Sequence, residues 1–412
     1  MSTRGMVIIG GGETGASAAR TLREEGWQGP ITLIGQENLA PYERPPLSKG
    51  ALALGSEAAP AFILKEQTLE ELSITWVREA RAVKIDRDRH IVQLADGQEI
   101  AYDKLLLATG ASPRKLTLEG SNTTSVMELR TFADAERLRS KLEAGRQLVV
   151  IGAGFIGLEV AASARERGCQ VTVLEVGHRI LMRGVPLGIA QAVEARHREA
   201  GVNFQLGVGI ERIESASGEQ RITLANGQEL RCDAIIAGIG AIPETSLAAA
   251  CGLDVGNGIL VNDRLATSDP TIYAAGDCCA FPHGVYGGTR IRLEAWRNAQ
   301  EGGAHAARNM LGADQPYEAI PWFWSDQYEQ TLQVIGLPDA STLTVQRHTE
   351  DESLFFFHLD DEHRLAAASG IGAGIAKEIK LAEMLIVKRA VLDPVVLAAP
   401  GLKLKALLKE LS

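Results

Sequence analysis

The sequence lacks long apolar runs and an excess of basic charge. No stretch of about 18 uninterrupted apolar residues is present, so a membrane-spanning helix is not expected. The net charge is −10, which argues against nucleic acid as a partner because its phosphates require a basic face. With 45% hydrophobic and 23% charged residues, the chain of 412 residues has the composition of a soluble protein of two or three domains.

Cysteine is sparse, and its spacing excludes further classes of protein. The five cysteines are Cys169, Cys232, Cys251, Cys278 and Cys279. They form no Cys-x-x-Cys pair and no zinc-binding pattern, so no metal site is expected. Scattered thiols suit a reducing cytoplasm, and a first strand that begins by Met6 leaves no room for a signal peptide. The adjacent Cys278 and Cys279 are interpreted as small buried residues.

Two copies of a glycine-rich motif are present. In the first, an apolar strand beginning at Met6 runs into Gly10, Gly12 and Gly15. In the second, a strand beginning at Leu148 runs into a loop that contains Gly152, Gly154, Ile156 and Gly157. Each loop is followed by an alanine-rich segment and then by a second strand. This strand is at residues 31–34 after the first loop and at residues 171–174 after the second. Each copy therefore predicts a β-α-β unit with a parallel sheet.

The glycines at these positions have separate physical roles. The first permits a tight turn, the second allows the backbone to approach a pyrophosphate, and the third packs the helix against the strand. The helix N-terminus then presents unpaired N–H groups to the phosphates. One such motif could arise for packing alone, but two copies, each preceded by a strand, predict two dinucleotide sites.

Three apolar segments that end near glycine complete the pattern, at residues 101–110, 230–240 and 270–277. They predict that the second nucleotide-binding domain is inserted into the first. The fold class expected is α/β, with two Rossmann-like dinucleotide-binding domains and a small α+β C-terminal domain. The predicted domains are residues 1–115 with 245–321, residues 116–244, and residues 322–412. In the last, strands are expected at 354–359 and 364–368, and a helix at 375–389.

The residue that ends the second strand of each unit indicates which nucleotide binds. Glu175 can accept hydrogen bonds from a ribose 2′-hydroxyl and would repel the 2′-phosphate of NADPH, which favours NADH. Arg179 and Arg183 follow closely and leave NADPH as an alternative; they could also hold pyrophosphate or face solvent. At the matching place in the first unit stand Gln36 and Glu37.

Two further segments resemble a known family. The segment at residues 41–49, which contains Arg44 and Lys49, and the segment at residues 321–328 are similar to those of NADH-dependent ferredoxin reductases of bacterial oxygenase systems. The resemblance covers essentially the whole chain. It implies a glutathione-reductase-like fold that binds FAD through the first motif and NADH through the second.

The resemblance also implies site residues. The FAD contacts that it implies are Thr14, Lys49, Ala82, Arg130, Asp277 and Trp296. Further candidate cofactor-binding residues, in the same motifs and at the glycine-terminated strand ends, are Arg44, Thr109, Gly110, Gly238 and Gly240. The family usually has an acidic residue where this chain has Gln36, so Gln36 and Glu37 both remain candidates for the ribose of FAD.

Lys49 and Glu159 are the candidate catalytic residues. The resemblance implies that they form an ion pair near the reactive nitrogen of the flavin, and Glu159 is expected in the first turn of its helix, where the dipole favours a carboxylate. Disulfide reductases of this fold carry a cysteine pair where this chain has residues 45–49, so dithiol chemistry is not expected. Trp322 and Trp324 could shield the flavin, lead electrons outward or simply pack in the core.

The expected function is electron transfer from NADH through FAD to a small [2Fe–2S] ferredoxin that serves an oxygenase. NADH supplies two electrons together, whereas a ferredoxin accepts one at a time, and flavin can do both. The alternatives are another acceptor, such as rubredoxin, monodehydroascorbate or a quinone, and a redox-sensing flavoprotein scaffold. The oligomeric state is left open.

Overall fold

The computed structural model describes residues 4–55, 59–121, 123–182, 184–216, 219–348 and 353–410. The chain forms two compact units. Unit 1 comprises Met1–Arg44, Pro60–Ser112 and Ile242–Pro321, and unit 2 comprises Pro45–Ala59, Pro113–Ala241 and Trp322–Ser412. Each unit therefore contains segments from distant parts of the sequence, and each is described separately.

The helices and strands are numbered in chain order. The helices are α1 Glu13–Glu24, α2 Glu66–Glu71, α3 Phe132–Arg139, α4 Phe155–Glu166, α5 Leu187–Glu199, α6 Ser246–Ala250, α7 Trp296–Met310, α8 Ile375–Val387, α9 Pro394–Leu397 and α10 Leu404–Glu410. The strands before residue 200 are β1 Met6–Ile9, β2 Ile31–Ile34, β3 Ile74–Val77, β4 Ala82–Asp86, β5 Ile91–Leu94, β6 Glu99–Ala101, β7 Lys104–Leu107, β8 Ala111–Pro113, β9 Val126–Met127, β10 Gln147–Ile151 and β11 Gln170–Glu175. The later strands are β12 Asn203–Leu206, β13 Ile210–Ala216, β14 Glu219–Leu224, β15 Glu229–Cys232, β16 Ala234–Ala237, β17 Ala241–Pro243, β18 Val255–Gly256, β19 Gly258–Leu260, β20 Ile272–Ala274, β21 Cys279–His283, β22 Thr289–Ile291, β23 Trp322–Gln327, β24 Gln330–Gly336, β25 Leu343–His348, β26 Leu354–Leu359 and β27 Leu365–Ile371.

Unit 1 is built around a parallel sheet in the order β20–β7–β1–β2–β3. Every residue of the central strand β1 is buried, as expected for a parallel strand covered on both faces. The predicted strand, helix and strand of the first motif are present as β1, α1 and β2. Antiparallel strands β4–β5–β6 and a mixed sheet in the order β18–β19–β21–β22 complete the unit.

Helix α7 packs against α1, and Gly303 is a position of very close approach between them. A Cβ atom built on Gly303 would collide with the carbonyl oxygen of Thr14, in the first turn of α1. The neighbouring Gly302 has more room, since the nearest atom to its Cβ position is 3.7 Å away. Gly303 therefore sets how closely the two helices approach.

Unit 2 repeats the same design with a second parallel sheet in the order β12–β11–β10–β16–β9. The strand, helix and strand predicted for the second motif are β10, α4 and β11. A three-stranded antiparallel sheet, β13–β14–β15, follows in the chain.

The C-terminal part of unit 2 contains an antiparallel sheet in the order β23–β24–β27–β26–β25, and α8 packs on β24 and β27. Strands β26 and β27 lie close to the predicted positions, and β27 is buried along its whole length because it lies inside the sheet beneath α8. Strands β23, β24 and β25 were not predicted from the sequence.

The predicted fold class is confirmed, whereas the division into three domains stays a prediction.

Two kinds of feature are not found in the described parts of the chain. None of the helices there is both long enough and apolar enough to span a membrane. No group of three or more His, Cys, Asp or Glu side chains in the same ranges is arranged to hold a metal ion.

The packing of α7 on α1 predicts opposite effects for two adjacent substitutions. Gly303→Ala should lower the free energy of unfolding by about 1–3 kcal/mol, because the new methyl group overlaps the Thr14 carbonyl. Gly302→Ala should be neutral or stabilise by up to about 1 kcal/mol, because alanine is the better helix former and its methyl group has room. Denaturant unfolding of the two variants measures the difference, and equal effects would contradict this account of the helix contact.

Candidate functional site

The first glycine-rich loop connects β1 to α1 in unit 1. Gly10 has φ of 127°, and a Cβ atom on it would collide with the carbonyl of Ala108; one on Gly15 would collide with the carbonyl of Gly10. Gly12 differs, because no atom lies within 4 Å of its Cβ position. The loop is therefore tightly packed on one side and open at Gly12, beside the N-terminus of α1.

Three other predicted residues of unit 1 lie around this loop. The side chain of Thr14 lies against Gly276, where a Cβ atom would collide with its hydroxyl. This contact places Gly276 and the following Asp277 beside the first turn of α1. Trp296 is the first residue of α7, the helix that packs on α1 through Gly303. Thr14, Asp277 and Trp296 are thus on elements that meet at the loop.

The other unit 1 candidates lie at strand ends. Thr109 and Gly110 lie in the loop after β7, the neighbour of β1, and the Thr109 hydroxyl donates to the Glu244 carbonyl at 2.7 Å. Gly110 has φ of 69°, which glycine adopts without strain. Ala82 opens β4 and is half-buried.

Glu37 and Gln36 differ in how firmly they are held. Glu37 accepts hydrogen bonds from Arg44 and from the Tyr42 hydroxyl, both at 2.5 Å, and Arg44 also lies over the Tyr42 ring. Gln36 is exposed. The carboxylate of Glu37 therefore has a fixed position, and each of its oxygens has a further lone pair.

The second glycine-rich loop, in unit 2, repeats the geometry of the first. Gly152 has φ of 98° and its Cβ position lies 2.5 Å from the carbonyl oxygen of Gly238. A Cβ atom on Gly157 would collide with the Gly152 carbonyl, whereas the only neighbour of the Gly154 position is the Gly238 oxygen at 4.0 Å. The loop is again open at its second glycine, and Ile156 is exposed in the first turn of α4.

Glu175, the last residue of β11, is bonded directly to this loop. Its carboxylate accepts from the N–H of Ala153 at 2.8 Å and from the N–H of Gly177 at 2.7 Å. Arg179 instead donates to the backbone carbonyls of Ile180 and Leu181, which ties it to its own segment. Arg183 lies outside the described residues.

Three remaining candidates of unit 2 lie on backbone turns. Gly238 follows β16 and contacts the backbone of Gly157, and Gly240 has φ of 105°. Arg130 precedes α3, and its backbone N–H donates to the Asp134 carboxylate at 3.1 Å. Gly238 is thus part of the second loop, whereas the Arg130 backbone is bonded to the start of α3.

Lys49 and Glu159 meet in unit 2, as the sequence predicted. The Lys49 ammonium lies 3.4 Å from Glu159 Oε1, and the Glu159 side chain is 9% exposed. Two hydroxyl groups also donate to the carboxylate: Ser48 to Oε2 at 2.5 Å and Ser325 to Oε1 at 2.6 Å.

Helix α4 begins at Phe155, so Glu159 is its fifth residue. The prediction that it lies in the first turn is wrong, and the dipole contributes less than the serines and Lys49.

Burial raises the pKa of Glu159, and Lys49, Ser325 and Ser48 act against that increase by stabilising the anion. A buried carboxylate needs such partners because removing its charge from water without them is costly. Residues 45–48 form a single 3₁₀ turn that presents Ser48 and Lys49 together. The Ser163 hydroxyl fixes this turn by donating to the Ser48 carbonyl at 2.8 Å.

Ser48, Ser325 and Asp326 also surround Lys49 and Glu159, although they were not predicted from the sequence. Asp326 lies 3.3 Å from the Lys49 ammonium and accepts from the Trp324 indole at 2.9 Å. Lys49 also lies 5.2 Å from the centre of the Trp324 ring, which is stacked on Trp322 at 5.0 Å. The tryptophans therefore belong to the surroundings of Lys49 and are not only core residues. The available signal for the three missed residues was their position inside the two segments that resemble the family, residues 41–49 and 321–328.

The cysteines form no reactive pair. All five are free thiols, and Cys278 and Cys279 are fully enclosed. Burial raises the pKa of both thiols, whereas a reactive cysteine requires a lowered pKa.

Comparison with known proteins places this geometry in a family. The model of the pyridine nucleotide-disulphide oxidoreductase family matches residues 4–303, and the model of the reductase C-terminal domain matches residues 322–408. The chain is 38% identical to the anthranilate 1,2-dioxygenase system ferredoxin–NAD(+) reductase component of Burkholderia cepacia, over 99% of this chain and 100% of that one. It is 40% identical to the rubredoxin-NAD(+) reductase of Pseudomonas putida, over 88% of this chain and 94% of that one.

The solved structures agree with the sequence relatives. The chain resembles the reductase in the covalent putidaredoxin reductase–putidaredoxin complex with a TM-score of 0.93 and 34% identity. The match covers 100% of this chain and 99% of that one.

The two kinds of glycine in the first loop predict separable effects. Gly12→Ala adds a methyl group to open space, so the fold should remain stable while the affinity for FAD falls by about tenfold or more, since the pyrophosphate is expected there. Gly10→Ala creates a backbone collision at a positive φ and should destabilise unit 1 itself. Flavin absorbance retained after gel filtration, together with thermal unfolding, separates the two outcomes. Normal FAD retention in Gly12→Ala would show that the open space is not the cofactor site.

Proposed function

The chain belongs to the pyridine nucleotide-disulphide oxidoreductase family, and we propose that it carries electrons from NADH through FAD to a small [2Fe–2S] ferredoxin of an oxygenase system. It is an oxidoreductase with a C-terminal reductase domain, and the family uses FAD and NAD(H). The observation that carries the proposal is that two open glycine loops and the ion pair of half-buried Lys49 with buried Glu159 occur together in one chain without a thiol pair.

The first loop is the proposed FAD site. The open space at Gly12 admits a pyrophosphate at the N-terminus of α1, where unpaired N–H groups and the helix dipole favour negative charge. Glu37 is the better candidate for the adenosine ribose, because Arg44 and Tyr42 hold its carboxylate in place. Thr109, Gly110, Asp277, Trp296, Ala82, Arg130 and Lys49 are proposed as the other FAD contacts.

The second loop is the proposed NADH site. Gly154 leaves room for the pyrophosphate at the N-terminus of α4. Glu175 is held by the N–H groups of Ala153 and Gly177, so its oxygens lie beside the loop with lone pairs to spare for ribose hydroxyls. No described arginine neutralises it, since Arg179 is bound to its own backbone.

The Lys49–Glu159 pair is proposed to assist the transfer of hydride. When bound, FAD accepts two electrons at once and gives them up singly. The protein has to place a fixed positive charge where electron density increases and exclude water from it. Lys49 suits this role because Glu159, Asp326 and the Trp324 ring hold its ammonium from three sides.

Ferredoxin is the preferred acceptor, and rubredoxin is a second candidate because a rubredoxin-NAD(+) reductase is 40% identical to the chain. Steady-state oxidation of NADH by the purified flavoprotein, with ferredoxins, rubredoxin, monodehydroascorbate and a quinone as acceptors, tests the choice. We expect the highest kcat/KM with a [2Fe–2S] ferredoxin. A higher value with rubredoxin would favour the second candidate, and slow turnover with every acceptor would contradict the proposed function.

The proposal also covers the cellular compartment and the domain boundaries. We place the protein in the cytoplasm because its five cysteines are free thiols, which suit a reducing compartment. The sequence-based domains remain our proposal: residues 1–115 with 245–321 for FAD, 116–244 for NADH, and 322–412 as the C-terminal domain.

Helix α8 presents a face suited to an acidic partner. Its exposed side chains include Lys377, Lys380, Met384 and Val387, and the exposed Lys388 directly follows the helix. Steps of three or four residues lead from Lys377 to Lys380 and Met384, and from Met384 to Val387 or Lys388, which places these side chains on one face. Apolar groups flanked by lysines have the composition of a protein interface with a polar rim. Small ferredoxins are typically acidic, and complementary charge mainly accelerates encounter.

Glu175 predicts the preference between nucleotides. The protein should be reduced much faster by NADH than by NADPH, because the Glu175 carboxylate repels a 2′-phosphate. Glu175→Gln should narrow the ratio of kcat/KM values by about tenfold or more. Glu166→Gln, at the far end of α4, is the matched control. Equal efficiency with both nucleotides in the parent protein would show that Glu175 does not read the ribose.

Lys49 predicts an effect on flavin reduction that is separate from FAD binding. Lys49→Met keeps much of the length of the side chain and removes the charge, so reduction by NADH should slow by about tenfold or more while FAD remains bound. Stopped-flow absorbance measures the rate, and Lys115→Met, at an exposed lysine of the same unit, is the control. An unchanged rate in Lys49→Met would leave the ion pair without a role in this step.

The exposed face of α8 predicts a salt-sensitive step. Replacing Lys377, Lys380 and Lys388 together by Glu should raise the KM for ferredoxin and leave the kinetics with NADH unchanged. In the parent protein, ferredoxin reduction should slow as salt rises, because exposed charges are screened beyond about 8 Å at physiological ionic strength. Reduction of a small neutral acceptor is the control. An unaltered ferredoxin KM in the triple variant would place the docking surface elsewhere.

A further inference from the structure

A chain of buried polar side chains leads from Glu159 to the side of helix α5 in unit 2. Ser325 donates to Glu159 at 2.6 Å, and the amide nitrogen of Gln327 donates to the Ser325 hydroxyl oxygen at 3.0 Å. The amide oxygen of Gln327 lies 2.7 Å from Nε2 of His197, and the Tyr328 hydroxyl lies 3.4 Å from Nδ1 of the same ring. Four side chains, Ser325, Gln327, His197 and Tyr328, thus form a continuous series from the carboxylate to α5.

The hydrogen bonds of this chain point in one direction. The Ser325 hydroxyl hydrogen is used on the carboxylate, so its oxygen has to accept from Gln327. The amide of Gln327 is thereby oriented with its oxygen toward His197, which has to carry a hydrogen on Nε2. Nδ1 of the ring is then unprotonated and accepts from Tyr328. Each member donates to the next one toward Glu159.

Burial protects these hydrogen bonds from water and so fixes their direction. Ser325 and His197 are each 1% exposed and Gln327 is 7% exposed, so water does not compete for their hydrogen bonds. Burial also lowers the pKa of His197, which keeps the ring neutral and therefore capable of having one donor and one acceptor nitrogen. Phe204 lies edge-on to the ring at 6.0 Å and restricts its rotation.

We infer that His197 and Gln327 are positioning residues that hold the Ser325 hydroxyl as a donor to Glu159. This inference rests on the proposed role of the Lys49–Glu159 pair. With Ser325 so fixed, the ionised form of the carboxylate is stabilised and directed at Lys49. Without these hydrogen bonds, the Ser325 hydroxyl is free to rotate or to accept a hydrogen bond from protonated Glu159, and the anion loses part of its stabilisation. Hydrogen bonds that polarise one another strengthen the effect.

A purely structural role for the same residues makes a different prediction. If His197 and Gln327 only satisfied each other in the interior, removing one of them would lower stability without changing the ionisation of Glu159. Titration of the Glu159 carboxyl carbon by nuclear magnetic resonance in the FAD-loaded protein separates the two roles. Its signal is identified by its loss in Glu159→Gln.

His197→Leu and Gln327→Met break different links of the chain, and each should raise the pKa of Glu159 by about one unit. His197→Gln should restore the parent value, because its amide places an N–H group where Nε2 stood. His358→Leu is the matched control: His358 is also a buried histidine of unit 2, but it is bonded to Ser369. This variant should leave the titration of Glu159 unchanged.

The outcomes separate this inference from the proposed function. A parental titration in both His197→Leu and Gln327→Met would overturn it, whatever the effect of Lys49→Met on flavin reduction. If those variants fail to fold, Tyr328→Phe removes one hydroxyl only and has to raise the pKa of Glu159, or the inference is wrong. A shifted titration with normal flavin reduction in Lys49→Met would support the chain of hydrogen bonds and reject the role of the pair.

Discussion

The close approach of a helix to the backbone that precedes it is the constraint on which both units depend. In each glycine loop, the third glycine of the motif lies so near the carbonyl of the first that any side chain would collide with it. This contact brings the start of α1 or α4 directly over the end of a central parallel strand. The unpaired N–H groups of the helix then face the open space beside the second glycine. Packing and anion binding therefore have one origin.

In unit 2 a buried carboxylate adds a second constraint. Glu159 is supported by Ser48 and Lys49 from one segment of the chain and by Ser325 from another, while Glu159 itself lies on α4. These are the three segments that make up the compact unit. A carboxylate removed from water requires such partners, and losing one leaves a costly unpaired charge. The polar cluster thus links segments that are distant in sequence.

The sequence predicted those parts of the molecule that are set by local pattern. The two β-α-β units follow from apolar runs and glycine spacing, and Glu175 follows from its place at a strand end. The bonds made by Ser325, Gln327 and His197 depend on β23 and α5 meeting across unit 2, which no local pattern shows. The strands β23 to β25 were also missed, because β23 has no alternation of apolar and polar residues and the alternation in β24 and β25 covers only two apolar residues each. The turn of Glu159 within α4 was misjudged because the helix begins earlier than expected.

The segment at residues 45–49 explains how one fold can serve different electron acceptors. In disulfide reductases of this fold, this region carries a cysteine pair, which takes electrons by forming and breaking covalent bonds. Here a 3₁₀ turn presents Ser48 and Lys49 to Glu159. These groups carry charge and hydrogen bonds but no electrons. Because these groups cannot form a disulfide, dithiol exchange cannot take place in this segment, which separates its chemistry from that of the disulfide reductases.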